Sequence, residues 1–184
     1  MLLLLSPVLL LCALAVKLNS PGPVLFRQKR SGINGRPFTM YKFRSMATNA
    51  EQRKHELAAM NEMSGPVFKV SNDPRITPVG RFLRRFSLDE LPQFLNVVRG
   101  EMSLVGPRPE RPELIAEFEA AIPGYGRRHE IAPGLTGLAQ VRAGYHTDPA
   151  SKLGHDLQYL MAWSPILDLQ ILARTVVVVC RRGS

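Results

Sequence analysis

The chain has 184 residues, 45% apolar and 21% charged, and its 24 Lys and Arg outnumber 15 Asp and Glu for a net charge of +9. This composition excludes a disordered chain and fits one domain with a real core. The basic excess selects partners rich in phosphate: nucleic acid, anionic lipid or phosphorylated small molecules. Nucleic acid is the weaker choice, because only Phe38, Tyr41 and Phe43 accompany the eight basic residues from Arg27 to Lys54 and no RNA-binding or zinc-finger spacing is present. Cys12 and Cys180 lie in apolar stretches at opposite ends and read as reduced packing residues of a cytoplasmic chain.

Met1 to Val16 carries no charge. As one helix it spans roughly 24 Å, short of the roughly 30 Å of a bilayer core, and Pro7 falls near its start. A signal peptide lacks its basic flank here. A buried core helix and a re-entrant membrane helix broken at Ser6-Pro7 stand about even on composition. Ser6 can satisfy backbone groups that the proline frees, and Lys17, Arg27, Lys29 and Arg30 suit an anionic cytoplasmic surface.

Asn19-Ser-Pro-Gly-Pro23 breaks the chain. Val24–Gln28 predicts a strand, Gly32-Ile-Asn-Gly35 a hairpin turn, and Phe38–Met46 a second strand. Thr48–Glu62 is compatible with a helix, interrupted at Gly65-Pro66. Ile76–Phe86 places Val79, Phe82, Leu83 and Phe86 at helical spacing. A further helix is expected from Ser87 or Asp89 to Val98, with Asp89 as N-cap and Pro92 in the first turn. Helices follow over Glu113–Ala121 and Ser151–Trp163, and from Ser164-Pro165 to Val179. The last is apolar over most of its circumference, which fits deep burial or contact with lipid.

Two motifs suggest chemistry. Asp89-Glu90 sits in Ser87-Leu-Asp-Glu-Leu-Pro-Gln93, and Gly106-Pro-Arg-Pro109 holds one Arg between two prolines. Ser87-x-x-Glu90 is also a capping-box pattern, and taken alone helix capping is the stronger reading of it. With Arg84 and Arg85 nearby in sequence, an ionised Asp89 can attack phosphorus, and Glu90 can hold Mg²⁺, which needs one or two carboxylates plus substrate phosphates. Arg108 is pre-organised for a bidentate phosphate contact, with Arg111 as further positive charge. His55, His129, His146 and His155 lack ligand spacing. Ser64-Gly65-Pro66 and Ser103 lack a nucleophile context, and there is no phosphate-binding loop or dinucleotide fingerprint.

Leu5-Ser-Pro-Val-Leu9, Asn19-Ser-Pro-Gly-Pro-Val-Leu-Phe26, Tyr41-Lys-Phe-Arg-Ser-Met46, Ser87–Gln93, Arg99-Gly-Glu-Met-Ser-Leu-Val-Gly-Pro-Arg-Pro109, Pro133-Gly-Leu-Thr-Gly137, Asp156 and Tyr159 occur in order along nearly the whole chain. In these it resembles bacterial sugar transferases of the monotopic phosphoglycosyl transferase family. The resemblance implies transfer of a phospho-sugar from a UDP-sugar to a polyprenol phosphate, usually undecaprenyl phosphate, at the cytoplasmic face of the bacterial inner membrane. This is the first membrane step of exopolysaccharide, O-antigen or glycan assembly. Asp89 is then the nucleophile that forms an aspartyl phospho-sugar, and Glu90 the Mg²⁺ ligand. Arg84 and Arg108 are the phosphate contacts, and Ser6 and Pro7 the membrane break. Lys42, Arg44, Arg85, Asp156 and Tyr159 are further candidates.

The expected fold is α+β, mostly helical with a short β-hairpin. Residues 1–18 form a re-entrant membrane helix, here truncated because only five residues precede Ser6. Residues 19–184 form a cytosolic catalytic domain with amphipathic or apolar membrane-facing helices. Expected partners are the UDP-sugar, the polyprenol phosphate and anionic lipid, without nucleic acid; a homodimer stays open. Two other classes remain: a non-catalytic membrane-surface adaptor and a soluble metal-dependent phosphohydrolase.

Overall fold

A computed structural model describes residues 2–62, 68, 70, 72–142 and 148–183, with the side chains of 2–4, 182 and 183 outside the description. His146 and Ser64-Gly65-Pro66 lie outside the described residues. The chain forms two compact units. One comprises Met1–Arg27 and Tyr41–Pro92, the other Gln28–Met40 and Gln93–Ser184. The expected mostly helical architecture with a short antiparallel hairpin is present.

In the first unit, helix α1 (Leu2–Asn19) runs as one helix with Pro7 inside it. Leu9, Cys12, Ala13 and Val16 recur every three or four residues and so share one face. They pack in a cluster with Phe43, Val79, Leu83, Leu88 and Leu91. Val8, Leu10, Leu11, Leu14 and Leu18 remain exposed. Among the described residues no helix is long and apolar enough to cross a membrane. After Asn19 the chain turns through Gly22, at φ +116°. Arg44 holds this turn by donating to the carbonyls of Ser20, at 2.8 Å, and Pro21. Arg44→Ala leaves both carbonyls without that donor and is expected to cost about 1–3 kcal/mol, read as a lower midpoint in thermal unfolding.

Strands β1 (Leu25–Ser31) and β2 (Pro37–Phe43) make the hairpin. Its turn lies where Gly32-Ile-Asn-Gly35 predicts it. Asn34 and Gly35 adopt positive φ, which Asn and Gly tolerate best. The second strand ends at Phe43 rather than Met46, and Met46 makes only an isolated bridge to Ile76.

The segment expected as a helix over Thr48–Glu62 is instead a 3-10 stretch over Gln52–Met60. Helix α2 (Pro78–Arg85) follows, capped by Thr77, whose hydroxyl accepts from the Gly80 amide at 3.0 Å. Before it, Arg75 and Asp73 form a buried, forked ion pair with contacts of 2.6 and 2.9 Å. Arg75 also donates to the Ala50 carbonyl at 2.9 Å. The guanidinium holds the Asp73 carboxyl below its ordinary range.

The expected helix from Asp89 to Val98 is corrected. Ser87 turns at φ +55°, a 3-10 turn spans Leu88–Gln93, and only Phe94–Val98 is α-helical (α3). Asp89 therefore sits inside the tighter turn rather than capping a helix.

In the second unit, β3 (Ser103–Val105) and β4 (Gly134–Thr136) pair in parallel, Ser103 opposite Gly134 and Val105 opposite Thr136. Around them lie α4 (Pro112–Ala121), α5 (Leu138–Arg142), α6 (Pro149–Ala162) and α7 (Pro165–Gly183). Asp148 caps α6 by accepting from the amides of Ala150 and Ser151, both at 2.9 Å, and Ser164 caps α7 through the Leu167 amide at 3.2 Å. Val105, Leu138, Tyr159 and Ile171 form the core. A smaller cluster joins Phe38, Met40 and Met102. Helix α7 buries one face only, leaving Ile166, Leu169, Val176 and Val177 exposed. Cys180 is exposed rather than packed, whereas Cys12 is buried as expected.

Candidate active site

The first unit holds the carboxylate pair. Asp89 is only 8% exposed. Glu90 Oε1 meets Lys42 Nζ at 2.7 Å, with both side chains half-buried. Lys42 therefore reaches the acid pair from β2, which explains one basic residue of Tyr41-Lys-Phe-Arg-Ser-Met46. The same stretch supplies two further anchors. Arg44 holds the exit from α1, as described, and Ser45 Oγ accepts from Arg84 Nε at 2.8 Å. The Ser45 carbonyl also accepts from the Thr77 amide at 3.1 Å. A Cβ on Gly80 would fall 2.0 Å from that carbonyl oxygen, so only glycine admits this approach of α2.

Arg84 thus enters the solvent-facing surface of its unit from a defined base. Arg85 is exposed with its guanidinium 5.8 Å from the Phe86 ring centre. Ser6 and Pro7 are exposed on α1.

In the second unit, Arg108 is the exposed residue of a run in which Val105, Gly106, Pro107 and Pro109 are buried. Four successive carbonyls accept hydrogen bonds here: Pro107 from the Gly134 amide at 2.8 Å, Arg108 from Arg128 Nη2 at 3.0 Å, Pro109 from Arg30 Nη1 at 3.1 Å and Glu110 from the Ser31 amide at 3.0 Å. The Gly106 amide donates to the Thr136 carbonyl at 2.9 Å. Pro133-Gly-Leu-Thr-Gly137 is thereby explained as the other half of the Gly106-Pro-Arg-Pro109 scaffold.

Asp156 and Tyr159 are buried beneath this loop. Asp156 Oδ2 lies 2.8 Å from Arg128 Nη2, and burial pushes its carboxyl up against the pull of Arg128. Tyr159 donates to Asp168 Oδ1 at 2.8 Å, with the Val105 carbonyl at 3.3 Å, tying α6 to α7 and β3. Burial and the Asp168 contact push its phenol up. Burial also pushes the Tyr125 phenol up to about 12. His129, half-buried, is pushed down by burial and by Arg128.

The sequence does not single out Ser45, Tyr125 and Arg128, and it assigns Arg30 to an anionic surface, whereas Arg30 donates to the Pro109 carbonyl. Within Arg127-Arg128-His129 the middle member is the buried one, which only its tertiary partners reveal.

Among the described residues there is no group of three or more His, Cys, Asp or Glu that could hold a metal ion. Two adjacent carboxylates remain. As hard oxygen donors they suit Mg²⁺, which completes its shell with substrate phosphates and water; they do not suit zinc, which takes three or four protein ligands.

The first unit thus presents an acid pair facing lysine and the second a braced Arg between prolines, side chains of the types that bind phosphate and its metal counter-ions. The chain belongs to the bacterial sugar transferase family, which matches residues 1–182. It is 46% identical over 180 residues to a UDP-glucose:undecaprenyl-phosphate glucose-1-phosphate transferase of Escherichia coli (strain K12), covering 95% of this chain and 36% of that protein. It is 43% identical over 176 residues to a UDP-N-acetylgalactosamine-undecaprenyl-phosphate N-acetylgalactosaminephosphotransferase of Aeromonas hydrophila, covering 94% and 39%. An exopolysaccharide production protein of Rhizobium leguminosarum bv. phaseoli is 44% identical over 190 residues, covering 99% of this chain and 90% of that protein. The chain thus spans little more than a third of the first two relatives.

Proposed function

We propose that this chain transfers a phospho-sugar from a UDP-sugar to a polyprenol phosphate such as undecaprenyl phosphate, at the cytoplasmic face of a bacterial inner membrane. The observation that carries the reading is the acid pair itself: Asp89, almost buried, beside Glu90, which is ion-paired to Lys42 at 2.7 Å. The relatives' transfer of sugar phosphates from UDP-sugars to undecaprenyl phosphate supports the same class of substrates.

The reaction proceeds in two displacements. An oxygen of the Asp89 carboxylate attacks the sugar-bearing phosphorus, and the bond to the uridine monophosphate oxygen breaks, releasing UMP. A phosphate oxygen of the polyprenol phosphate then attacks the same phosphorus. The acyl-phosphate bond breaks, Asp89 regains its carboxylate, and a polyprenyl diphospho-sugar leaves. Lys42 fixes the rotamer of Glu90 and lowers the charge density around the pair. Arg84, oriented by Ser45, offers its fork to phosphate oxygens, and Arg108 does the same from its own loop. Glu90 would hold Mg²⁺, which when bound screens the repulsion between an attacking carboxylate and the diphosphate.

Membrane attachment rests on exposed apolar side chains: Leu10, Leu11, Leu14 and Leu18 on α1, and Trp163, Ile166, Leu169 and Val176 at and along α7. Clusters of this size, with a net charge of +9, suit an anionic lipid surface.

UMP release from UDP-sugars, assayed with Mg²⁺ and with or without undecaprenyl phosphate, tests the whole reading. Release that requires both agrees with it. Release without the lipid favours a phosphohydrolase, and no release under any condition favours the adaptor. Glu90→Gln is expected to raise the Mg²⁺ concentration needed for half-maximal release; an unchanged metal titration would move the ligand away from Glu90.

A further inference from the structure

Arg128 is 5% exposed and Asp156 2% exposed, so both charges are withdrawn from water. A buried ion pair is rarely a gain in stability over apolar side chains of the same volume. What this pair specifically provides has to be sought in its geometry. Nη2 of Arg128 meets both Asp156 Oδ2, at 2.8 Å, and the Arg108 carbonyl, at 3.0 Å. Nη1 donates to the Tyr125 hydroxyl, and the guanidinium carbon lies 5.0 Å from the Tyr125 ring centre. Tyr125 is itself buried and packed on Phe118, with ring centres 4.9 Å apart. The guanidinium is therefore held by a carboxylate and a phenol while it grips one carbonyl.

That carbonyl is one of two that fix the direction of the Arg108 side chain. The peptide plane before Arg108 is anchored where the Gly134 amide donates to the Pro107 carbonyl. The plane after it is anchored by Arg128, whose Nη2 donates to the Arg108 carbonyl at 3.0 Å. A residue ahead of proline already has a restricted ψ, and Arg128 selects one orientation within it. With both planes held, the Cα–Cβ bond of Arg108 has a single direction, and its exposed fork starts from a fixed base.

We propose that Arg128, locked by Asp156 and Tyr125, is a positioning residue that aims Arg108 at phosphate oxygens. The inference rests on the phosphate-binding role of Arg108 given above. The phosphate belongs either to the nucleotide diphosphate or to the polyprenol phosphate, and separate binding measurements distinguish the two.

The test is a double-mutant cycle in binding. Dissociation constants for UDP, and separately for undecaprenyl phosphate in detergent micelles, are measured by titration calorimetry with Mg²⁺ present. Two changes remove the grip on the carbonyl. Arg128→Lys keeps a charge beside Asp156 but loses the planar fork. Arg128→Met combined with Asp156→Leu replaces the pair by apolar side chains and avoids stranding one charge. Each is made with Arg108 intact and with Arg108→Ala, and each is paired with a thermal midpoint. Should the paired replacement fail to fold, Arg128→Lys carries the comparison.

With Arg108 intact, a roughly 5–10-fold loss of affinity for one of the two phosphates is expected, a typical coupling between neighbouring residues. With Arg108→Ala, the same change is expected to have no further effect. Equal losses in both backgrounds, or no loss with Arg108 intact, would overturn the positioning role while leaving Arg108 as a phosphate contact. If Arg108→Ala alone leaves both affinities unchanged, the phosphate role of Arg108 falls, and the positioning role falls with it.

Discussion

Asp89→Asn is expected to reduce UMP release by at least about 10³-fold, as removal of a covalent nucleophile does, and to eliminate any trapped phospho-sugar adduct. The substitution is isosteric, so the 3-10 turn over Leu88–Gln93 keeps its packing and the thermal midpoint stays close to that of the parent. What is lost is an anionic oxygen able to displace UMP. An amide oxygen is a poor nucleophile towards phosphorus, and it cannot regenerate a carboxylate when the second substrate attacks. Asp89 is almost buried, so bulk water has limited access to an acyl-phosphate formed there. The adduct is therefore expected to persist in the parent protein when lipid is withheld. Intact-mass measurement after incubation with the UDP-sugar and Mg²⁺ checks this directly. An adduct that survives Asp89→Asn would place the covalent step on another residue.

The candidate residues stand out in the sequence, but the contacts that support them do not. Asp89-Glu90 and Gly106-Pro-Arg-Pro109 stand out because adjacent acids and proline-flanked arginine are unusual local patterns. The hairpin turn is legible for a similar reason, since Gly32-Ile-Asn-Gly35 supplies residues that accept positive φ. Strands β3 and β4 are three residues each. Such short runs carry no period-2 signal, and their partners lie some thirty residues apart. The helix expected from Asp89 to Val98 failed because Ser87 takes a left-handed turn, which no local propensity of serine announces. Arg128, Arg30 and Ser45 act through backbone carbonyls or through another arginine. Contacts of that kind depend on tertiary placement and leave no mark on spacing.

The glycines separate these two kinds of information most clearly. Gly134→Ala is expected to destabilise the protein by at least about 4 kcal/mol, at the extreme of single substitutions. A Cβ at Gly134 would lie 2.1 Å from the Gly106 amide nitrogen and 2.3 Å from the Thr136 carbonyl oxygen. Both neighbours are backbone and cannot rotate away, so the β3–β4 pair has to separate. The hydrogen bonds from the Gly134 amide to Pro107 and from the Gly106 amide to Thr136 are lost with it. The same change at Gly154, inside α6 with nothing within 4 Å of its Cβ, is expected to stabilise by about 0.5–1 kcal/mol through helix propensity. Denaturant titration of the two variants reads both effects on one scale. Because the Gly134 contact anchors the peptide plane before Arg108, a folded remnant of Gly134→Ala is also expected to bind phosphate more weakly, whereas Gly154→Ala binds as the parent does. Equal stability of the two variants would refute the close approach of Gly134 to Gly106, and with it the rigid base from which Arg108 acts.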